Sequence, residues 1–283
     1  MQGKTVVMTG ASSGLGRAAA ERLAAMGARI VAIARDRQRG AALLQALRRF
    51  GAEAAHRIHY GDLSELRDLR ALVIAIRDSE PRIDILVNNA GALFTRRRVS
   101  SDGFEKTFAT NHLAYFVLTL GLLDRVLAAA PSRIVNTASA AHMHTTLDFD
   151  DLQLERGYGG YAAYKRSKLC NILFTRELAR RLAGTGVVAN AFHPGFVASR
   201  FGDESGGMLA LGIAIAKRCA GLSPQRGADT LVYLACAPEA GRVSGKYFYR
   251  CRPIEPSPQA SNDADAARLW SASERLAERT LGP

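Results

Sequence analysis

The sequence predicts a single α/β domain in which a doubly wound parallel sheet lies between two layers of helices, a three-layer αβα arrangement. Short apolar β-type runs alternate with longer helical patterns along all 283 residues, which indicates a succession of right-handed βαβ units. Some runs are continuously apolar, as at Val187–Ala189, and such strands are typical of a parallel sheet buried on both faces. No repeat, linker or compositional break divides the chain, so we expect one domain over residues 1–283.

Seven strands and seven helices follow from this pattern, together with two irregular segments. The expected strands, which are short and apolar, are Thr5–Thr9, Arg29–Ala34, Ala54–Tyr60, Ile83–Asn88, Arg133–Ala138, Val187–Phe192 and Lys246–Tyr249. The expected helices are Leu15–Met26, Arg37–Phe50, Leu66–Ser79, Phe104–Ala129, Tyr161–Ala183, Gln225–Ala237 and Asp263–Arg279. We expect irregular structure at 147–160 and 196–222, a proline-rich link at 252–258, and a C-terminal helical extension at about 259–283.

The composition argues against several classes of protein. The net charge is +12, but the basic residues are spread along helical segments and do not interleave with aromatic residues, so we expect a solvated Arg-rich surface and no nucleic-acid binding. The four cysteines have no metal-binding spacing, and His142 and His144 lack a third ligand, so we expect ordinary loop histidines and no metal site. No signal sequence is visible and the longest apolar run, 208–216, is too short for a bilayer. We therefore expect a cytoplasmic protein without a transmembrane segment.

A glycine-rich loop, Thr9-Gly10-Ala11-Ser12-Ser13-Gly14-Leu15-Gly16, follows the first strand and opens the first helix. Glycine permits a tight turn and close backbone approach to a ligand. The helix N-terminus presents unpaired N–H groups and a positive dipole end to a pyrophosphate. The spacing G-x-x-x-G-x-G differs from the commoner G-x-G-x-x-G fingerprint, but at this junction it predicts a dinucleotide site rather than a simple turn. The predicted ligands are Gly10, Ser12, Ser13, Gly14, Leu15 and Gly16.

The end of the second strand bears on the choice between NAD and NADP. An acidic residue there would hold the ribose 2′-hydroxyl, but the chain has Ala34 followed by Arg35 and Asp36. Arginine is suited to bidentate phosphate binding, and Arg37 or Arg39 would assist it. Asp36 is expected to cap the next helix. The sequence therefore predicts a preference for NADP(H), with Arg35 as a ligand of the 2′-phosphate.

A tyrosine and a lysine four residues apart suggest proton-transfer chemistry. The spacing occurs twice in the predicted helix after residue 160, as Tyr161 with Lys165 and as Tyr164 with Lys168. A lysine ammonium one helical turn away stabilises a phenolate and lowers the tyrosine pKa, which suits proton exchange with an alcohol or carbonyl oxygen. The spacing is common by chance on exposed helices, so the pattern alone does not choose between the two pairs.

With these residues in place, the chain resembles the short-chain dehydrogenase/reductase superfamily over nearly its whole length. Most of the matching sites lie at or just beyond the carboxyl end of a predicted strand, where ligands of open α/β sheets bind, so the resemblance implies a Rossmann-type fold. The matches, in chain order, are Thr9–Gly16, Asp62-Leu63, Asn88-Asn89-Ala90-Gly91, Asn111, Ser139, Tyr164, Lys168 and Pro194-Gly195.

The resemblance implies a role for each catalytic position. The family pattern Y-x-x-S-K selects Tyr164 and Lys168, because Tyr161 and Lys165 lack a serine immediately before the lysine. Tyr164 would be the general acid or base, and Lys168 would lower its pKa and contact the nicotinamide ribose. Ser139 would hydrogen-bond the reacting oxygen, and Asn111 would hold a water that links Lys168 to solvent.

The resemblance also implies further cofactor ligands. Asp62 and Leu63 would flank the adenine, and Ser199 stands where the family often has threonine. The remaining implied ligands, besides Tyr164 and Lys168, are Asn89, Ala90, Gly91, Pro194, Gly195 and Val197.

Within the superfamily, the chain is similar to the retinol dehydrogenase-like branch. The similarity rests on the block from Tyr164 to Leu182, on Asp150-Asp151-Leu152, on Gly245-Lys246-Tyr247-Phe248 and on Leu269-Trp270. It implies a lipophilic alcohol or carbonyl substrate, a substrate loop at about 196–222, and a homodimer or homotetramer. The apolar residues near 206–216 fit either a core helix or an apolar lid over the substrate. Two alternatives stay open: a reductase of an activated double bond, since light-dependent chlorophyll-precursor reductases have similar motifs, and a regulatory protein that binds NADP(H) without turnover.

Overall fold

A central eight-stranded sheet organises the chain in a computed structural model, which describes residues 1–51, 54–195 and 222–278. The strand order is β3-β2-β1-β4-β5-β6-β7-β8. Strands β1 to β7 pair in parallel and β8 pairs antiparallel to β7. The strands are β1 Thr5–Thr9, β2 Arg29–Ala34, β3 Arg57–Tyr60, β4 Ile85–Asn88, β5 Ser132–Thr137, β6 Val187–Phe192, β7 Tyr247–Tyr249 and β8 Arg252–Ile254. The predicted doubly wound α/β fold is confirmed.

Helices cover both faces of this sheet, as the alternating sequence pattern predicts. The helices are α1 Gly14–Ala25, α2 Arg37–Leu47, α3 Leu66–Ser79, α4 Lys106–Phe108, α5 Ala114–Gly121, α6 Leu123–Leu127, α7 Gly160–Arg181, two short helices Pro224–Gly227 and Asp229–Cys236, and a C-terminal helix Asp263–Glu278. Successive strand residues point to opposite faces, so Val7 belongs to the core beneath α3, α5 and α7, while Val6 and Met8 belong to the core beneath α1 and α2.

The single helix predicted at Phe104–Ala129 is wrong. The segment begins where the Glu105 side chain accepts hydrogen bonds from the N–H groups of Thr107 and Phe108, and a π-helical turn, Ala109–Leu113, separates α4 from α5. Leu122, with φ −108° and ψ 4°, leaves the α conformation between α5 and α6. The π turn displaces one residue from the regular hydrogen-bond pattern, and it contains Asn111.

The C-terminal part of the chain also differs from prediction. The proline-rich link contains β8, in which Pro253 lies opposite Phe248; proline is tolerated here because the strand is at the edge of the sheet.

Two further segments differ from prediction or lie outside what is described. Strand β3 begins at Arg57 rather than at Ala54. The expected substrate loop, with the apolar residues near 206–216, lies outside the described residues, apart from Leu222.

The C-terminal helix packs across α5 and α7, as its predicted apolar residues suggest. The Trp270 indole lies edge-on to Phe116 at 5.1 Å between ring centroids and stacks on Phe174 at 5.8 Å. The Arg181 guanidinium lies 4.2 Å from the centroid of the Trp270 indole. Aromatic contacts of this kind bury large apolar areas, so this helix is an integral part of one core. Within the described ranges, no helix is long and apolar enough to cross a membrane.

Candidate active site

A cavity of about 990 Å³ opens at the carboxyl ends of the strands. The strand order reverses between β1 and β4, and this switch point is where open α/β sheets bind ligands. The cavity brings together 17 of the predicted site residues, namely Gly10, Ser12, Ser13, Gly14, Leu15, Gly16, Arg35, Asp62, Leu63, Asn89, Ala90, Gly91, Ser139, Tyr164, Lys168, Pro194 and Gly195. Of the remaining three, Asn111 does not line it, and Val197 and Ser199 lie outside the described residues.

The glycine loop has the backbone geometry that the sequence predicts. Gly10 and Gly14 have φ values of +66° and +54°, a region in which other residues are strained. A Cβ atom at Gly16 would lie 2.1 Å from the Gly10 carbonyl oxygen, so only glycine allows α1 to start this close to β1. Helix α1 begins at Gly14, and the side chain of its cap residue, Ser13, makes no capping bond. The first turn of α1 borders the cavity, because Gly14, Leu15 and Gly16 line it, and a helix N-terminus is suited to binding a phosphate.

Asn89 ties together the ends of three neighbouring strands beneath this loop. Its Nδ2 donates to the Gly10 carbonyl at 3.2 Å, and its Oδ1 accepts from the Thr137 hydroxyl at 3.1 Å. The Thr9 hydroxyl in turn accepts from the backbone N–H groups of Asn89 and Ala90 at 2.8 and 3.0 Å. This network fixes the cavity floor formed by residues 89–91.

The end of β2 presents a basic edge to the cavity. Arg35 and Arg39 line it together with Asp36. The Asp36 side chain accepts from the Arg39 N–H at 2.8 Å and caps α2, as predicted. The hydrogen bond from the Arg39 backbone holds the pKa of Asp36 below its ordinary value. The carboxylate is thus used as a helix cap, although it remains a negative charge at the cavity edge.

Ser139, Tyr164 and Lys168 meet on one part of the cavity wall. The Ser139 side chain follows β5, accepts from the Ala141 N–H at 3.1 Å and hydrogen-bonds the Tyr164 side chain. The Lys168 Nζ lies 5.6 Å from the Tyr164 ring centroid and donates to the Thr137 carbonyl at 3.1 Å. The structure therefore brings the Tyr164 register, and not Tyr161 with Lys165, next to Ser139.

Burial shifts the acid–base properties of both groups. Removal from water raises the pKa of Tyr164 to about 12, an effect that its hydrogen bond with Ser139 partly opposes. Burial lowers the pKa of Lys168, which is 2% exposed, to about 7. The direction for Tyr164 is thus opposite to the lowering that we expected from the Lys168 ammonium, because desolvation disfavours both charged forms and is the largest cause of each shift.

Asn111 lies behind the cavity wall rather than on it. Its Oδ1 accepts from the Ala92 N–H at 2.7 Å, and its Nδ2 donates to the Ala92 carbonyl and to the Ser167 hydroxyl, both at 2.9 Å. The Ser167 hydroxyl donates to the Tyr164 carbonyl at 2.8 Å. Asn111 thus connects residues 89–92 to the turn of α7 between Tyr164 and Lys168. The water that it was expected to hold stays a prediction.

Several cavity residues escaped the sequence reasoning. His193 directly precedes the Pro194-Gly195 pair, and its Nδ1 accepts from the Gly195 N–H at 3.2 Å. Its ring stacks on Tyr249 at 4.1 Å between centroids. Tyr161, the tyrosine of the rejected pair, also lines the cavity. The position of His193 beside Pro194 is the one sequence signal that would have suggested a place in the site.

His142 is also not the ordinary loop histidine that we expected. It is buried, and both of its ring nitrogens have hydrogen-bond partners. His144, two residues on, is exposed and has a φ of +55°.

Comparison with known proteins agrees with this geometry. The short chain dehydrogenase family model matches residues 4–210. The chain therefore belongs to the short-chain dehydrogenase family, whose members are oxidoreductases that bind a nicotinamide cofactor.

Two relatives are similar to this chain over almost its full length. Mouse (Mus musculus) retinol dehydrogenase 14 is 41% identical over 286 residues, which cover 97% of this chain and 86% of the relative. Human (Homo sapiens) retinol dehydrogenase 13 is 40% identical, with 97% and 84% covered. These relatives confirm the resemblance to the retinol dehydrogenase-like branch.

Solved structures give the same fold. An uncharacterised protein from Mycobacterium paratuberculosis is 31% identical with a TM-score of 0.78, covering 98% of this chain and 94% of that protein. The RhlG protein of Pseudomonas aeruginosa, solved with NADP in its active site, is 27% identical with a TM-score of 0.70, covering 88% and 94%.

Proposed function

We propose that this protein is an NADP(H)-dependent oxidoreductase that interconverts an alcohol and a carbonyl group on a lipophilic substrate. The observation that carries the proposal is the meeting of Ser139, Tyr164 and Lys168 in the same cavity as the glycine loop. A proton donor, a hydrogen-bond donor and a cation then surround one place where a substrate oxygen would lie, beside a site shaped for a dinucleotide.

The residues divide the work of the reaction as follows. The nicotinamide, when bound, would supply or accept the hydride. During reduction Tyr164 would donate its phenolic proton to the carbonyl oxygen, and during alcohol oxidation it would take that proton back. Ser139, already bonded to Tyr164, would donate a hydrogen bond to the same oxygen. Lys168 in its ammonium form would stabilise the Tyr164 phenolate that follows proton donation.

The same cavity offers the groups that would hold the cofactor. The first N–H groups of α1 would bind the pyrophosphate, and Asp62 and Leu63 would flank the adenine. Asn89 to Gly91 would form the floor under the nicotinamide ribose, and Pro194 with Gly195 would border the nicotinamide. Val197 and Ser199 belong to this proposal on the strength of the sequence.

The preference for NADP(H) rests on the basic edge at the end of β2. Arg35 lines the cavity and Asp36 is used as a cap, so a 2′-phosphate would meet a guanidinium. A charge-assisted hydrogen bond contributes roughly 1.5–3 kcal/mol. We therefore expect NADPH to bind at least about tenfold more tightly than NADH.

Fluorescence titration of NADPH and NADH tests this preference. Arg35→Ala should weaken NADPH binding and leave NADH binding unchanged. Arg49→Ala is the matched control, because Arg49 is exposed in the turn after α2 and does not line the cavity. Equal affinity of the unaltered protein for both dinucleotides would contradict the preference.

A lipophilic substrate is supported by the apolar residues near Tyr164 and by the relatives. Leu93, Ala141 and the Tyr161 ring line the cavity, and the similar proteins are named as retinol dehydrogenases. Retinoids are accordingly among the candidate substrates. The proposed assembly is a homodimer or homotetramer, which sedimentation velocity measures.

A panel of carbonyl compounds, followed at the NADPH absorbance band, tests the activity. The panel should include aliphatic, aromatic and polyene aldehydes and ketones, and an activated alkene without a reducible carbonyl. We expect turnover of lipophilic carbonyl compounds only. Turnover confined to the alkene would favour a double-bond reductase, and cofactor binding without any turnover would favour a regulatory protein.

A further inference from the structure

Two buried histidines connect the proposed catalytic residues with the C-terminal arm, which we define as residues 257–278. The arm begins at Ser257, whose hydroxyl accepts from the Ala260 N–H in the short turn Pro258–Ser261. It continues as the C-terminal helix. His142 reaches the start of the arm and His112 reaches its helix, and the exposed fractions of the two histidines are 1% and 0%.

His142 joins the arm to the backbone of Ser139. Its Nε2 accepts from the Ser257 N–H at 3.0 Å, and its Nδ1 lies 2.7 Å from the Ser139 carbonyl oxygen. A backbone N–H only donates, so Nε2 carries no proton. The neutral ring therefore carries its proton on Nδ1 and donates it to Ser139. The ring also lies edge-on to Tyr247 at 5.1 Å.

These bonds leave Ser139 little freedom to rotate. Its carbonyl accepts from both the backbone N–H of His142, at 3.2 Å, and the imidazole of His142. Its hydroxyl accepts from the Ala141 N–H and bonds with Tyr164. The fixed carbonyl holds the Ser139 backbone from which the side chain extends, and the bond from Ala141 holds the hydroxyl itself. A misplacement of about 1 Å at a reacting group can cost on the order of 100-fold in rate.

His112 makes the second connection, one residue beyond Asn111 in the π turn. The Ser273 hydroxyl donates to the Leu269 carbonyl and lies 2.8 Å from the His112 Nε2. This hydroxyl joins the His112 ring to the backbone of the C-terminal helix. The ring also lies 5.3 Å from Phe108 between centroids. The arm is thus bonded to the π turn that contains Asn111.

We propose that the C-terminal arm positions the catalytic groups, with His142 orienting Ser139 and His112 holding the π turn of Asn111. Both histidines are positioning residues that touch neither substrate nor cofactor. The inference rests on the proposed function. It predicts that breaking either connection lowers kcat while the KM for NADPH stays unchanged, because neither histidine lines the cofactor cavity.

Three substitutions at His142 separate its two hydrogen bonds. Asparagine places its Nδ2 where the imidazole Nδ1 lies and keeps the hydrogen bond to Ser139. Glutamine instead keeps a polar group near Ser257. Phenylalanine keeps neither hydrogen bond and retains only the packing on Tyr247. We expect His142→Phe to lower kcat at least about tenfold, His142→Asn to recover most of that loss, and His142→Gln to resemble His142→Phe. The matched control, His144→Asn at the neighbouring exposed histidine, should leave kcat unchanged.

Two outcomes overturn the role of His142: a kcat within twofold of the unaltered protein for His142→Phe, or a kcat for His142→Gln equal to or above that of His142→Asn. The second comparison stands if His142→Phe fails to fold, since both polar variants avoid an apolar ring at this position. If the unaltered protein turns over no carbonyl compound, the proposed function fails instead.

Ser273→Ala tests the second connection, with Ser271→Ala on the exposed side of the same helix as its control. Loss of the Ser273 hydroxyl leaves the buried His112 Nε2 without its hydrogen-bond partner. We expect kcat to fall about threefold to tenfold in Ser273→Ala alone, with the KM for NADPH unchanged. Equal kcat values for the two variants would overturn this connection.

The proton positions give a readout that needs no turnover. Long-range ¹H–¹⁵N spectra distinguish the two neutral tautomers of histidine. We expect His142 with its proton on Nδ1, in the protein with or without NADPH. The opposite tautomer at His142 would remove its bond to Ser139 and overturn the proposal.

Discussion

Helix α7 carries two tyrosine–lysine pairs with the same spacing, and they lie in opposite environments. The Lys165 Nζ lies 6.0 Å from the Tyr161 ring centroid, and the Lys168 Nζ lies 5.6 Å from that of Tyr164. Tyr161 is 55% exposed, whereas Lys168 is 2% exposed. The distances within the two pairs are thus nearly equal, so the surroundings of each pair, and not its spacing, distinguish the two.

The partners of each lysine show how the fold makes this difference. Lys165 donates to the carbonyl of His144 in an exposed loop, at 3.3 Å. Lys168 donates to the carbonyl of Thr137 at the end of β5, which Asn171 also contacts at 3.0 Å. Only the second lysine faces the sheet, because α7 packs on it through Ser167, Lys168 and Asn171, all of which are buried. The comparison shows that the surface against which a helix packs decides which of two equal sequence motifs has a buried, desolvated lysine.

The largest expected loss of activity, and the sharpest test of this comparison, comes from removing the hydroxyl of each tyrosine in turn. Tyr164→Phe should lower kcat by at least about 1,000-fold, since it removes the proton donor, while NADPH still binds. Tyr161→Phe, the matched change three residues earlier, should keep kcat within about threefold, because its ring remains at the cavity. Steady-state kinetics and NADPH titration measure both. Substantial activity in Tyr164→Phe would break the distinction between the pairs.

Replacing each lysine should give a smaller loss of activity and a gain in stability at one position only. Lys168→Met should lower kcat about 100-fold, as loss of one electrostatic group does, and Lys165→Met should have little effect. An unfolded lysine has a pKa near 10.4, and burial lowers that of Lys168 to about 7. The native state therefore disfavours the ammonium at neutral pH, where the unfolded chain holds it fully.

Methionine at position 168 removes this penalty and loses one hydrogen bond to Thr137. We expect Lys168→Met to raise the free energy of unfolding at pH 7 by about 1–3 kcal/mol. Urea denaturation at pH 7 measures the change, and Lys165→Met serves as its control. A lower free energy of unfolding for Lys168→Met than for Lys165→Met would show that burial does not penalise the charge at this site.

The smallest expected effect is a loss of stability in acid, which tests the same contrast between buried and exposed groups at the histidines. Burial lowers the pKa of His112 to about 3 and that of His193 to about 4. Both stay neutral in the native state at pH 5, whereas the unfolded chain takes up protons below about 6.5. Stability should therefore be complete above pH 6.5 and fall as the pH decreases, by on the order of 1–2 kcal/mol per histidine at pH 5.

Urea unfolding at pH 7.5 and pH 5 measures this loss. His193→Asn should reduce the difference between the two pH values, because one buried histidine is gone. His144→Asn should leave the difference unchanged, since His144 is exposed. A difference that is the same in all three proteins would show that the buried histidines do not account for the loss of stability in acid.

Prediction from sequence succeeded where the signal was local. The glycines of the loop at 10–16 and the capping residue Asp36 act through their own backbone or the next helix. Helix α1 starts at Gly14, and Asp36 caps α2 through an N–H three residues away. For the same reason 17 predicted residues are found in one cavity.

Prediction failed where a distant contact decided the outcome. The helix at 104–129 is interrupted at a π turn in which Asn111 is bonded to Ala92 and Ser167, residues 19 and 56 positions away. Strand β8 exists because the sheet edge at β7 was available for pairing. His142 looked like a loop histidine because Ser257, its partner, lies 115 residues further on.

The sequence by itself therefore determined the fold class and predicted most of the residues that line the cavity, because strand–helix alternation and strand-end residues are local properties. Only the tertiary structure decided which tyrosine–lysine pair lies beside Ser139, where His142 carries its proton, and how the C-terminal arm is joined to Ser139 and to the π turn. Burial and hydrogen-bond partners depend on residues far apart in the chain, and these set the pKa values on which the chemistry of Tyr164 depends.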